Sequence, residues 1–280
     1  MKKIKNILLY VALFCLALLL GFVYFDKKRD EQVEQLLFEA VDVMNQDMLE
    51  LAADKCGSAI SINKRDWRPY AMRSLVYHRL GKNNEAIPDY EEALKYNKNK
   101  ESLDINGIKI EWRDIATRLA FTYAAEENDS HFDDALVLAQ KVLSEFPNDK
   151  DALDAISMVY FRKEDYVKAE EWAKKLRDVD EASGLFRLGY YYSVSGKTLE
   201  AIEAFERLLA IKPNSGPALY SLALNYQSYF GENERWIGTR YFPPTTNTDF
   251  YYKAIRLHQK AALLGYNDAK EWLKKRDLDW

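Results

Sequence analysis

The chain has 280 residues, 30% of them charged, and a formal net charge of −4. A charge so near balance gives no reason to expect nucleic acid or another polyanion as partner. A hydrophobic fraction of 48% suffices for a packed core, while only 11 Gly and 7 Pro argue against a turn-rich β-protein.

In chain order, residues 1–6 form a basic tail, and Ile7–Phe25 then runs 19 residues without a charge. As a helix this reaches roughly 28 Å, close to the hydrocarbon thickness of a bilayer. No small-residue cleavage site follows, and bulky Phe14 precedes Cys15, so the pattern predicts an uncleaved transmembrane signal anchor over 7–25. Lys2, Lys3 and Lys5 nearly balance Lys27, Lys28 and Arg29, so flanking charge alone does not orient it. The short tail resembles bacterial signal anchors, which predicts a single-pass inner-membrane protein with the remainder in the periplasm; the cytoplasm is the alternative. A juxtamembrane linker is expected over 26–32. Cys15 falls inside the expected span, so a disulfide to Cys56 is not expected.

Beyond residue 32 one unit recurs. In 182–215, Leu185, Leu188, Gly189 and Tyr192 form one helical stripe, Gly196 breaks it, and Thr198 offers a cap for the next helix. Ala201, Phe205 and Leu208 form the second stripe, and Pro213 ends the unit. The same frame returns in 33–66 (Leu36, Ala40, Val43, Ala52, Cys56, Ala59) and 67–100 (Tyr70, Ser74, Tyr77, Gly81, Ala86, Tyr90, Ala93). It returns again in 113–149 (Leu119, Ala120, Tyr123, Phe132, Ala135, Ala139, Pro147) and 150–181 (Leu153, Ser157, Tyr160, Ala169, Ala173, Leu176). Small residues such as Gly189 and Ala201 let antiparallel helices approach, and large ones such as Tyr192 and Phe205 fill the gaps.

This spacing closely resembles the tetratricopeptide repeat. The resemblance implies an all-α, right-handed superhelical solenoid of about six antiparallel helix hairpins, spanning 33–280 behind one N-terminal transmembrane helix. Residues 101–112 are extra to the frame. The last unit, 216–280, starts with Leu219, Leu222, Ala223 and Tyr226 and is interrupted by an insert, 231–249. After it, Ala261, Ala262, Gly265, Ala269 and Leu273 are similar to a Sel1-type repeat.

Motifs with chemistry are scarce. Ser195–Thr198 reads SGKT, but Tyr191 stands where a phosphate loop needs its first glycine, and no strand precedes it. His78, His131 and His258 lie in three different repeats, which predicts isolated surface or groove histidines rather than metal ligands. Glu126–Asp134 lacks the ligand alternation and glycine of a calcium loop, and reads as a turn with Ser130 or Asp133 capping the next helix. No catalytic residue, cofactor or small-molecule substrate is expected.

The resemblance places partner peptides on the concave face made by the first helix of each hairpin. Carried over by register, that face begins with Leu37, Val41, Met44 and Ala71. It continues with Leu75, His78, Arg79, Phe121, Met158, Phe161, Arg162, Phe186, Tyr190, Tyr220, Leu224 and Gln227. Relatives that clamp a terminal carboxylate carry Lys and Asn where Leu37, Val41, Ala71 and Leu75 stand, so an apolar or amphipathic protein segment is the expected partner. Trp236, Tyr241 and Phe242 make the insert a contact arm. The expected function is a membrane-anchored interaction scaffold or assembly factor at a bacterial envelope. The alternatives are a tether with a self-occupied groove and an enzyme with a site in the insert.

Overall fold

The computed structural model describes residues 2–126, 129–230 and 247–280, with side chains from residue 14 onward except 230 and 247–250. The chain forms two compact units, Met1–Tyr123 and Ala124–Trp280.

The first unit opens with α1 (Lys2–Asn45), a helix that continues without interruption through residues 26–32. Its described apolar run, Phe14–Phe25, is exposed. Among the described residues, no helix is long and apolar enough to cross a membrane, which overturns the expected single-pass membrane protein anchored through Ile7–Phe25.

From Val33 onward α1 acquires a core face. Val33, Leu37, Ala40, Val41 and Met44 are buried against α2 (Leu49–Ile62), where Ala52, Cys56 and Ala59 are 0% exposed. Burial pushes the Cys56 thiol up to about 12, so it stays protonated and packs as a small apolar group. The α3 (Trp67–Arg79) and α4 (Asn83–Tyr96) hairpin follows. Asp66 caps α3 by accepting from the Arg68 N–H at 3.0 Å.

The segment extra to the repeat frame departs from the all-α expectation. It forms an antiparallel hairpin, β1 (Leu103–Ile105) and β2 (Ile108–Ile110), in which Leu103 faces Ile110 and Ile105 faces Ile108. Asn106 and Gly107 have φ of 48° and 81°, the left-handed pair that a two-residue type I′ turn requires. The Asn97 side chain brackets its start, donating to the Glu101 carbonyl and accepting from the Glu101 N–H. Leu103, Ile105 and Ile110 are buried, and α5 (Trp112–Ala125) follows.

The second unit contains α6 (Phe132–Glu145), α7 (Lys150–Arg162), α8 (Tyr166–Val179), α9 (Glu181–Val194), α10 (Thr198–Ile211), α11 (Gly216–Phe230), α12 (Asn247–Leu263) and α13 (Asn267–Lys274). Successive helices α6–α13 pack on one another in antiparallel hairpins. Asp149, Asp165 and Asp180 cap α7, α8 and α9, each accepting from a backbone N–H near 3 Å. The expected caps elsewhere differ. Thr198 is the first residue inside α10 and Lys197 its cap, while His131 caps α6 without a side-chain bond. One core cluster joins α9, α10, α11 and α12 around Phe205, Leu208, Leu222 and Ala254. Another joins α11, α12 and α13 around Leu219, Ala261, Ala262, Ala269 and Leu273. Gly265, with φ of 90°, makes the turn between α12 and α13.

Candidate functional site

In the second unit, α7 and α9 are tied by a half-buried polar pair. Arg187 donates twice to Asp154, Nε to Oδ1 at 2.5 Å and Nη2 to Oδ2 at 2.8 Å. Burial opposes the Arg187 charge, yet the Asp154 carboxylate holds its pKa above the ordinary arginine value. One turn along, Tyr191 is 2% exposed, with its hydroxyl 2.9 Å from Ser157 Oγ, and burial pushes its phenol up.

This inner layer supports an outer one. Phe161 stacks on Tyr191 with centroids 4.4 Å apart and planes 12° from parallel. Tyr190 lies 5.3 Å from Phe161 and is 44% exposed. Neighbouring tyrosines take opposite roles because each residue turns the helix by about 100°. Tyr166 meets Phe161 edge-on at 5.6 Å, and Val194 is exposed one turn beyond Tyr190. Leu224, one repeat on from Tyr190, is exposed on α11, and Asn225 ties that helix to α9 by donating to Ser193 Oγ at 2.7 Å. The result is an apolar, aromatic-rich face on α7, α9 and α11 with a rigid base.

The residues expected in the groove divide. Phe161, Tyr190 and Leu224 reach this face, and Met158 is half-buried on α7. Arg162 is engaged within the unit, donating to the Glu126 carbonyl at 2.7 Å with its guanidinium 6.0 Å from the Phe132 ring centre. Phe186 is half-buried against Phe205. Tyr220 packs edge-on to His258 at 5.2 Å and lies 5.3 Å from Tyr266, while Gln227 is buried with Nε2 3.1 Å from His258 Nε2. Leu75, His78, Arg79 and Phe121 belong to the first unit. Leu75, His78 and Phe121 are half-buried there, whereas Arg79 is exposed 3.9 Å from Asp47. Leu37, Val41, Met44 and Ala71 are in the first unit's core. Trp236, Tyr241 and Phe242 lie outside the described residues.

His258 departs furthest from its sequence reading. It is 0% exposed and stacks on Trp272 at 3.9 Å and 17°. Its Nδ1 has no hydrogen-bond partner. Burial, reinforced by the charge of Arg276, pushes its pKa down to about 3. Among the described residues, no group of three or more His, Cys, Asp or Glu is placed to hold a metal ion.

Sequence reasoning also passed over Asp154 and Arg187, the pair that fixes α7 against α9. Their signal was available: one acid and one base on the first helices of successive hairpins.

A family model described as tetratricopeptide repeat matches residues 68–100 and 182–215. No curated protein matches the chain. Among solved structures, the chain is similar to PilW, described as a widely conserved type IV pilus biogenesis factor. The two are 13% identical with a TM-score of 0.63, covering 86% of this chain and 98% of that one. It is also similar to a tetratricopeptide repeat protein from Parabacteroides merdae at 20% identity and a TM-score of 0.56, covering 88% and 99%. PilF of Pseudomonas aeruginosa matches at 11% identity and a TM-score of 0.56, covering 89% and 99%. At these identities the likeness is one of fold: helix-hairpin repeats of the tetratricopeptide type.

Proposed function

We propose that the chain is a protein-interaction scaffold or assembly factor that docks an apolar or amphipathic segment of a partner protein on the face around Tyr190. One observation carries this reading: Tyr190 is 44% exposed on a base already fixed by Phe161, Tyr191 and the Asp154–Arg187 pair. An aromatic side chain held this way loses little freedom on binding, and exposed, pre-organised aromatics are the usual anchors of protein interfaces. Leu224 and Val194 extend the apolar surface beside it. The fold shared with PilW, whose description is that of a biogenesis factor, favours assembly as the form the scaffolding takes.

A second reading, a tether with a self-occupied groove, draws on Tyr220 and Gln227. Both are expected in the groove, and both turn onto His258 of α12. A photo-reactive residue placed at Tyr190, with a control at exposed Val137 of α6, separates the two. A protein adduct at position 190, absent at 137 and weakened by Leu224→Ala, supports docking. Equal adducts at both positions, or none, remove docking and leave the tether.

A further inference from the structure

The sequence contains one Asn-Gly pair, Asn106-Gly107, and the fold places it at the tip of the β-hairpin, between β1 and β2. Both residues are exposed, and a Cβ built on Gly107 would meet nothing within 4 Å. The tip is nonetheless tied to a helix far back in the chain. The Asn106 side chain donates from Nδ2 to Oδ1 of Asp42 on α1 at 3.3 Å, and Asp42 is itself exposed. Behind the tip, Leu103 and Ile105 are buried on β1, which packs on α1. Ile110 of β2 shares a pocket with Ala71 and Leu75 of α3, Tyr90 of α4, and Ile115 and Arg118 of α5. The hairpin is a small cover over apolar residues of the first unit, latched at its tip by one amide on one carboxylate.

An asparagine followed by glycine carries its own electrophile and nucleophile. The Gly107 backbone nitrogen attacks Asn106 Cγ, and no Cβ on Gly107 shields the approach. As the N–Cγ bond forms, the Cγ–Nδ2 bond breaks, and Nδ2 leaves as ammonia with the proton that the Gly107 nitrogen gives up. Water then opens the cyclic imide. Cleavage of the new N–Cγ bond yields aspartate, while cleavage of the original peptide bond yields isoaspartate, whose main chain runs through the side-chain carbon. No oxidant or reductant takes part. Either product ionises at neutral pH and adds one negative charge. Ring closure needs the Gly107 nitrogen swung towards Cγ, a rotation that the closed two-residue turn opposes, so the reaction proceeds when the hairpin opens.

We infer that Asn106-Gly107 is a spontaneous deamidation site whose product releases the hairpin tip from α1. The reaction turns the donor facing Asp42 into a second carboxylate, so an attraction becomes a like-charge repulsion at hydrogen-bonding range. The isoaspartate form also breaks the turn, whose two-residue geometry has no place for an extra main-chain carbon. The change therefore runs in one direction. It is made in the open hairpin and hinders reclosure, which leaves the apolar residues around the pocket less covered. It is independent of the aromatic face around Tyr190, which belongs to the other unit.

Ageing the full chain in mildly alkaline buffer, followed by peptide mass spectrometry with isoaspartate-specific methyl labelling, tests the chemistry. Conversion is expected at Asn106 ahead of Asn214, which is exposed in the turn before α11, precedes Ser215 and serves as an internal control. Asn106→Gln, whose longer side chain does not close this ring readily, should show no conversion at that position. Hydrogen exchange tests the consequence. Asn106→Asp should speed exchange across the Leu103–Ile110 pairing about fivefold, most clearly at low salt. In an Asp42→Ala background the same substitution should make no difference. An asparagine that matters only to the turn would give equal acceleration in both backgrounds. Tyr190→Ala should leave every one of these readouts unchanged, which keeps failure of the aromatic face separate. Conversion at Asn106 no faster than at Asn214, unchanged hairpin exchange in Asn106→Asp, or an acceleration that persists in full without Asp42 overturns the assignment.

Discussion

Gly189 on α9 faces the ring of Phe205 on α10 so closely that a Cβ on the glycine would stand 2.8 Å from the ring's Cζ. Phe205 is 0% exposed and cannot swing away without opening the core around Leu208 and Leu222. Gly189→Ala should therefore destabilise the second unit by about 1–3 kcal/mol through overpacking. Gly184→Ala should be worse, because its Cβ would meet the backbone of Arg177 at 2.2 Å. Denaturant titration followed by far-UV circular dichroism checks both, and a larger loss for Gly189→Ala than for Gly184→Ala would contradict this ranking.

Tyr190 and Tyr191 give a contrast within one dipeptide. Tyr190→Ala should change unfolding free energy by less than about 1 kcal/mol, because much of the ring is already in solvent. Tyr191→Ala should cost about 3–5 kcal/mol, since it empties a buried aromatic site and removes the partner of Ser157. Equal effects in chemical denaturation would show that the outer ring is part of the core.

His258 should make the second unit acid-sensitive. Its pKa is near 3 folded, below the ordinary value of 6.5, so the unfolded chain binds the extra proton between those limits. The stability it contributes is present above pH 6.5 and is lost as pH falls towards 3. The loss approaches about 5 kcal/mol. His258→Phe, which can keep the stacking on Trp272, should flatten that part of the stability profile. An unchanged slope between pH 6.5 and 4 in the variant would rule His258 out as the source.

The hairpin depends on its turn. Gly107 has φ of 81° in open space, so Gly107→Ala meets no clash but forces alanine into the left-handed region, at about 1–2 kcal/mol. Faster amide exchange should follow across the Leu103–Ile110 pairing, with little change in α2 or α3. Uniform acceleration across the first unit would mean the hairpin is not a separate opening unit.

Asp154 and Arg187 should behave as a coupled pair. Each single truncation leaves a charge with a side chain about one-fifth exposed and without its partner, whereas Asp154→Asn with Arg187→Gln removes both. A double-mutant cycle should give a coupling of about 1–3 kcal/mol. Additive losses would show that the pair does not fix α7 against α9.

Much of this was open to inspection in the chain. The stripe Leu185, Leu188, Gly189 and Tyr192 followed by Ala201, Phe205 and Leu208 states a helix hairpin, because only a 3.6-residue period puts those side chains on one face. The spacing of glycine against phenylalanine also announces the close approach seen at Gly189. The β-hairpin was equally legible, since Asn106-Gly107 between Leu103, Ile105, Ile108 and Ile110 carries the turn chemistry of a two-residue hairpin. It was missed because a strong helical repeat on both sides made the segment read as a spacer.

The sequence by itself determined the repeat frame and its helix pairs, because these follow from contacts within a few residues. Only the tertiary structure decided which members of each apolar stripe remain outside. Tyr190 and Tyr220 both stand on stripes expected to line the groove, yet Tyr190 stays exposed while Tyr220 is drawn onto His258 and Tyr266. That choice is made by α12 and α13, segments far along the chain, and no local pattern records it. The same holds for Tyr90 and Arg118, which lie on different helices and become one pocket only where the hairpin folds over them.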